Sequence, residues 1–374
     1  MPTDDQLDTR PSDEELQRFR ESPPKAIPEP SFAHLLRMSD DTGLFEHARG
    51  PIPKRWHGYC VDDVTRGLIV VCREPQPSEH LIRLAEIYLA FLLHAQDRER
   101  GFHNRMGLDR VWHDEPETGE WWGRGVWALG TAARLGPTPW IRAVALERFA
   151  DGAKLRAGLG PQSRLNHAMA YAALGAADVA EAHPGHPAAL SLLADAADTI
   201  GRPKPDPSWP WPEPRLEYGD PALPEALIAA GQHLGDESLL RDGLGLLEWL
   251  LTLSTHEGHL SPTPAGGWSL GDPRPAFHQQ PIEAAAYADA CARAYRATGD
   301  RTWLAGVRMS IEWFLGVNDS GIPMIDEGTG GGFDGLAEDS RNPNQGAEST
   351  IALISTLQHA RWLDQISTEV STEL

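Results

Sequence analysis

QQPIEAAAYADACARAYRATGD, residues 279–300, is the stretch from which the fold can be read. From Gln280 to Tyr295 its side chains are short and apolar on nearly every side, as in a helix that is buried all round. A brief turn, ATGD, follows. Residues 301–317 then resume at helical spacing, with one charged and one apolar face. A buried helix, a short turn and a half-wet partner make an antiparallel hairpin.

The same alternation extends in both directions. Amphipathic segments cover 78–96, 139–155, 186–200, 237–253 and 301–317, with Phe32–Met38 as a shorter first member. Segments apolar all round begin near Asp62, Glu120, Ser163, Pro224, Gln280 and Gly346. Their starts are roughly 40 to 65 residues apart, the length of a helix pair with its loops. Nothing reads as a run of strands. The expected fold is therefore all-α: six inner and six outer helices closing into an (α/α)6 toroid over residues 30–374. An open superhelical solenoid is the alternative, but solenoid repeats are more uniform in length. Loops 99–119, 201–223, 254–279 and 318–345 are rich in Gly, Pro and Trp, and each leads into an inner helix. All of them should lie at one end of the ring, where function is expected.

Composition narrows the function. The chain has 374 residues, 41% of them hydrophobic, enough for a large core. No apolar run approaches the roughly 20 residues of a membrane helix. Residues 1–29 are charged and proline-rich, and are expected to form a disordered or extended lead-in without a secretory h-region. Cys60, Cys72 and Cys291 are too few and too scattered for a disulfide framework or zinc ribbon, so a reducing cytoplasm is the expected location. A formal charge of −21 argues against nucleic acid or an anionic membrane as partner. The expected partner is a small neutral or cationic substrate; the oligomeric state is not legible.

Polar residues gather at the inner-helix starts. His57 and Tyr59 precede Asp62 and Asp63. Glu120 is followed by Trp121, Trp122 and Arg124. Asn166 and His167 open the third inner helix, and Trp209, Trp211, Glu213, Tyr218 and Asp220 precede the fourth. His278, Gln280 and Glu283 lie at the fifth. Asp334, Asn344, Gln345 and Glu348 lie at the sixth. Singly, such acids read as helix caps, Asp62 above all. Together, in a closed ring, they converge on one cavity. Indoles that stack on sugar rings, beside amides, acids and an arginine that match hydroxyls, give the composition of a carbohydrate site. Two carboxyl groups across it can hydrolyse a glycosidic bond. Trp127, Trp249, Trp303 and Trp313 fall within helical periodicity and read as packing; Trp121, Trp122, Trp209, Trp211 and Trp268 are the stacking candidates. There is no HExxH, CxxC, GxSxG or P-loop, and GTGGGFDG (328–335) lacks the lysine of a phosphate cradle. No ligand spacing supports a metal site from His57, His278 and the acids, and no cofactor is expected.

GYCVDDVTRGL, FHNRMGLDRVW, EWWGRGVWALG, WPWPEPRLEYGDPALPEALIAAG, QQPIEAAAYADACARAYRATGD and NPNQGAESTIALI resemble the six-hairpin glycosidase superfamily over about residues 32–362. The nearest likeness is to a bacterial branch found fused to, or encoded beside, group 4 glycosyltransferases. The resemblance implies the toroid and action on a saccharide. It also implies carboxylates at successive inner-helix starts, here Asp63 and Glu120, and an acid on the last inner helix, here Glu348. The chain departs from the family at Val64-Thr65, where asparagine-alanine is usual, and at Glu120, where aspartate is usual.

The leading expectation is an inverting glycoside hydrolase. A proton donor needs an apolar setting. Glu120, flanked by Trp121 and Trp122, fits best, with Asp63 or Glu348 as general base and Glu283 able to exchange roles. A sugar epimerase or isomerase using His57, His167 and His278 is one alternative. A non-catalytic glycan-binding domain serving a glycosyltransferase is the other.

Overall fold

The computed structural model describes residues 27–155 and 162–372. Most of the expected lead-in, up to residue 26, lies outside the described residues. Among the described residues there are twelve α-helices. The inner set comprises α2 (Val61–Cys72), α4 (Glu120–Leu135), α6 (Gln162–Ala182), α8 (Ala222–Leu234), α10 (Pro281–Thr298) and α12 (Ala347–Thr372). The outer set comprises α1 (Ala33–Arg37), α3 (Glu79–Ala95), α5 (Pro139–Gly152), α7 (Pro187–Ile200), α9 (Glu237–Leu253) and α11 (Trp303–Phe314). Each inner helix packs on the next, and α12 packs back on α2, which closes the ring. The fold is an (α/α)6 toroid. Among the described residues no helix is long and apolar enough to cross a membrane.

Small residues let the inner ring close. Alanines 168, 170, 172, 173, 176, 177 and 180 of α6 are all buried, as are 284, 285, 288, 290, 292 and 294 of α10. Between α4 and α6 the backbones themselves meet. A Cβ on Gly123 would stand 2.2 Å from the Ala168 carbonyl oxygen, and one on Gly130 would stand 2.2 Å from that of Gly175.

Four of the outer helices start differently from the inner ones, while α1 and α11, with Phe32 and Thr302 at their N-caps, also lack a side-chain cap. Ser78, Thr138, His186 and Asp236 each cap an outer helix by accepting a backbone N–H with the side chain. The N-cap residues of α2, α4, α8 and α10 (Cys60, Gly119, Pro221 and Gln280) make no such bond. The acids of the inner first turns are thus free to face one another, beside helix ends whose dipoles favour negative charge. Two-residue ladders brace the loops at this end, among them Tyr59–Cys60 with Arg105–Met106 and Arg215–Leu216 with Trp268–Ser269.

Candidate active site

The inner helices enclose an axial cavity whose lining changes with depth. Along α2 the residues Arg66, Ile69, Val70 and Arg73 step down one face, and along α12 Glu348, Ile351, Ala352 and Ser355 do the same. The spacings of three and four residues keep each set on one face, so Arg66, the Ile69–Val70 pair and Arg73 mark successive turns, as do Glu348, the Ile351–Ala352 pair and Ser355. The lining is therefore polar at the mouth, apolar in the middle and ionic at the floor. At the floor Arg73 bonds Asp289 at 2.8 Å and Ser355 at 3.0 Å, His359 meets Asp289 at 2.7 Å, and Arg293 bonds Glu225 at 2.9 Å.

At the mouth one connected network joins four inner helices and a loop. Arg66 Nη1 donates to Glu348 Oε2 at 2.6 Å, and Arg66 Nη2 lies 3.9 Å from Asp63. The Tyr218 hydroxyl donates to the same Glu348 oxygen at 3.1 Å and accepts from Arg124 Nη2 at 2.9 Å. Arg124 also reaches Asp62 at 3.1 Å, Glu120 at 3.7 Å and the Tyr171 hydroxyl at 3.1 Å, with its guanidinium 4.0 Å from the Tyr171 ring centre. Glu283, buried, accepts from the Gly219 backbone N–H at 2.7 Å.

The carboxyl groups fall into two electrostatic classes. Burial pushes Asp63 up to about 8; Arg66 opposes the shift, while Glu348, Glu46 and Asp62 add to it. Burial likewise pushes Glu283 up to about 8, against the Gly219 N–H, with Glu348 adding. Glu348 goes the other way. Burial works against its charge, but Arg66 overrides that, and with Arg124 and Tyr218 holds it below the usual carboxylate range. Glu348 on the cavity wall is thus held toward its ionised form, while Asp63 and Glu283, buried beside the mouth network, are pushed toward their protonated forms near neutral pH. Pairs whose environments drive them apart in this way are the signature of acid–base roles.

The expected residues divide accordingly. Asp63, Glu120, Arg124, Tyr218, Glu283 and Glu348 are brought together. The apolar setting expected for Glu120 is not there. Its carboxylate is partly exposed and ion-paired with Arg124, Trp122 is turned into the core with its indole on the Gly152 carbonyl, and Trp121 donates to the Phe102 carbonyl. That setting belongs to Asp63 and Glu283. Asp62, read as a cap, pairs with Arg124. Asp334 lies near Glu348, raised by burial and by that neighbour, and accepts from Asn344 at 3.1 Å. Asn166 donates to Glu213 at 2.6 Å, and burial lifts Glu213 to about 7. His167 lies 3.7 Å from Asp220, whose carboxyl burial raises well above its usual range. These four form a buried support behind Tyr218 and Gly219.

Other candidates lie away from this network. Tyr59 is buried against Phe45 with its hydroxyl on Asp40. Trp211 is fully buried and stacks on Trp249, while Trp209 packs on Trp249 and Trp268; these indoles, expected to hold sugar, pack the wall instead. Gln345 ties Thr329 of the glycine-rich loop, and Asp326 just before it, to the start of α12. His57 is exposed beside His47, and His278 is exposed; Gln280 is half-buried. Among the described residues His57, His167 and His278 are not part of the axial cavity's lining. Trp127, read as core, lines the cavity and lies parallel to Tyr171, 6.0 Å between centres. Arg66, Tyr171 and Trp127 are not among the site residues expected from the sequence. The signal available was their register: Arg66 lies three residues after Asp63, and Trp127 three after Arg124, on the axial face.

No protein-family model matches this chain, and no curated protein matches it in sequence. Solved structures do. The chain is similar to a sugar epimerase from a ruminal bacterium, 14% identical over 92% of this chain and 98% of that one, with a TM-score of 0.64. It is similar to a cellobiose 2-epimerase from Bacillus thermoamylovorans, 12% identical over 93% and 98%, TM-score 0.64. An α-mannanase of family GH76 from Bacteroides thetaiotaomicron is 10% identical over 83% and 88%, TM-score 0.56. Likeness at this identity establishes a shared fold.

The charge states have a consequence for stability. Asp63 and Glu283 keep their protons in the folded state up to about pH 8, while the unfolded chain releases them near pH 4. Their contribution is fully present below pH 4 and is lost as pH rises toward 8. The cost is at most about 1.4 kcal/mol per pH unit for each group. Glu348, with its lowered value, gives its full contribution above the ordinary glutamate range and loses it only in acid. Urea denaturation at pH 5 to 8 is expected to show stability falling with pH, and Asp63→Asn with Glu283→Gln to reduce that slope, the remainder coming from Glu213 and Asp220, which burial also raises. An unchanged slope would contradict the assignment.

Proposed function

We propose that this chain is a sugar-processing enzyme, and that it hydrolyses a glycosidic bond by general acid and base catalysis at the mouth of the axial cavity. The observation that carries the reading is the placing of Glu348 at 2.6 Å and buried Asp63 at 3.9 Å on the same Arg66 guanidinium, an arrangement that lowers the first carboxyl and leaves the second raised by burial. Glu348, ionised, takes the proton of an attacking water. Asp63 or Glu283, protonated, gives one to the leaving oxygen. Tyr218 and Arg66 hold the Glu348 carboxylate in place, and Trp127 and Tyr171 offer the apolar faces below it. In this reading the donor moves from Glu120 to the buried acids, and Glu120 with Asp62 keeps Arg124 neutralised.

A second reading, sugar epimerisation or isomerisation, is supported by the epimerases and the mannose isomerase among the fold neighbours. Proton transfer through Glu348 on the cavity wall and Asp63, which shares Arg66 with it, would serve it, while His57 and His278 are exposed away from this network. The expected outcome of incubating an oligosaccharide panel in H₂¹⁸O is products carrying one ¹⁸O per bond broken. Products of unchanged mass that take up carbon-bound deuterium from D₂O would replace hydrolysis by the second reading. No turnover of any member, with saccharide still bound, would leave a binding domain.

A further inference from the structure

Thr255–His256 and His259–Leu260 are the arms of a tight hairpin after α9. Its two central residues, Glu257 at φ 48° and Gly258 at φ 85°, are both left-handed, as the type I′ hairpin turn requires. That turn sets His256 directly opposite His259, so both imidazoles leave the same face of the ladder. Their ring centres are 5.8 Å apart, edge to face.

Asp319, in the segment after α11, presents one oxygen to both rings. Oδ1 is 3.1 Å from His259 Nε2 and 3.5 Å from His256 Nδ1. Ligand atoms at about 2.0–2.1 Å from a tetrahedral zinc-type ion lie about 3.3 Å from one another. The two separations bracket that edge. The other carboxylate oxygen is held by Gln279 Nε2, and Gln279 Oε1 accepts from the buried Trp313 indole at 2.8 Å. Asp319 is thus oriented from behind, as outer partners orient a metal ligand. The Asp319 and His259 side chains are 9% and 15% exposed, while that of His256 is 54% exposed and leaves the open side to water.

We propose that His256, His259 and Asp319 bind a divalent transition-metal ion of the zinc class, with water as the fourth ligand. Two imidazoles select against Mg²⁺ and Ca²⁺, which take oxygen ligands. The ion joins the 255–260 hairpin to the segment after α11 through a carboxylate held by Gln279. Gln279 lies two residues before α10 and four before Glu283, so the ion fixes the loops at the mouth rather than entering the chemistry.

The test is calorimetric titration of the full chain with Zn²⁺ after chelation and dialysis. One equivalent is expected. The thermal midpoint should rise by roughly 3–5 °C at hundredfold excess over the dissociation constant, with no rise in Mg²⁺. Co²⁺ should give the visible absorption of a four-coordinate site. His256→Ala, a change at an exposed side chain, should remove the equivalent and the shift while leaving the metal-free midpoint close to wild type. No binding by the wild type overturns the proposal. So does an equivalent that survives His256→Ala with His259→Ala, which would belong instead to the Glu46, His47 and His57 cluster.

Discussion

Glu348→Gln is expected to leave a folded protein whose kcat is lower by about 10³-fold or more, within the range for removing a general base. Glutamine keeps the shape of the side chain and can still accept from Arg66 Nη1 and the Tyr218 hydroxyl, which now meet at Glu348 Oε2. It cannot take a proton from water. The loss should therefore fall on kcat, with KM little changed. Arg66 loses an anionic partner at 2.6 Å, but Glu348 is 26% exposed, so the cost to stability is discounted to roughly 1–2 kcal/mol. Glu120→Gln is the contrasting variant. If Glu120 only neutralises Arg124, turnover falls far less. Equal collapse of both variants would return the donor role to Glu120.

Gly130→Ala should cost about 3 kcal/mol, the upper end for overpacking, and Gly175→Ala about as much. Their Cβ atoms would stand 2.2 and 2.4 Å from backbone carbonyl oxygens of the facing helix. Backbone cannot rotate away as a side chain can, so α4 and α6 must separate, and both are staves of a closed ring. Gly245→Ala is the control. Gly245 is exposed on α9, and a Cβ there meets nothing within 4 Å. It should gain up to about 1 kcal/mol from helix propensity alone. Urea midpoints of the three variants measure the difference. A Gly130→Ala protein as stable as wild type would mean that the α4–α6 spacing is wrong.

The architecture was legible because burial leaves a periodic trace. The all-round apolar character of 280–295 against the one-sided pattern of 301–317 identified α10 and α11, and the same contrast located the other hairpins. The convergence of Asp63, Glu283 and Glu348 followed once every second helix was placed in one ring. Individual roles were less legible, because they depend on partners distant in sequence. Glu120 is adjacent to two tryptophans in the chain, yet in space its neighbour is Arg124. Asp62 and Asp63 are consecutive, but a helix turns them about 100° apart, toward Arg124 and Arg66 respectively. The misread indoles have the same origin: Trp209 and Trp211 lie in a loop by sequence, but that loop folds back over Trp249 and Trp268. Trp127 fits helical periodicity equally well for core and for cavity.

The opposed protonation of Asp63 and Glu348 can be measured without knowing the substrate. Carbon-13 labelling of aspartate and glutamate carboxyls, with Asp63→Asn and Glu348→Gln to assign the signals, follows each group by NMR as pH is raised. The Asp63 signal is expected to shift near pH 8, and the Glu348 signal below the ordinary glutamate range. Both carboxyls losing their protons together near pH 4 would leave the cavity without a proton donor at Asp63 and contradict the account.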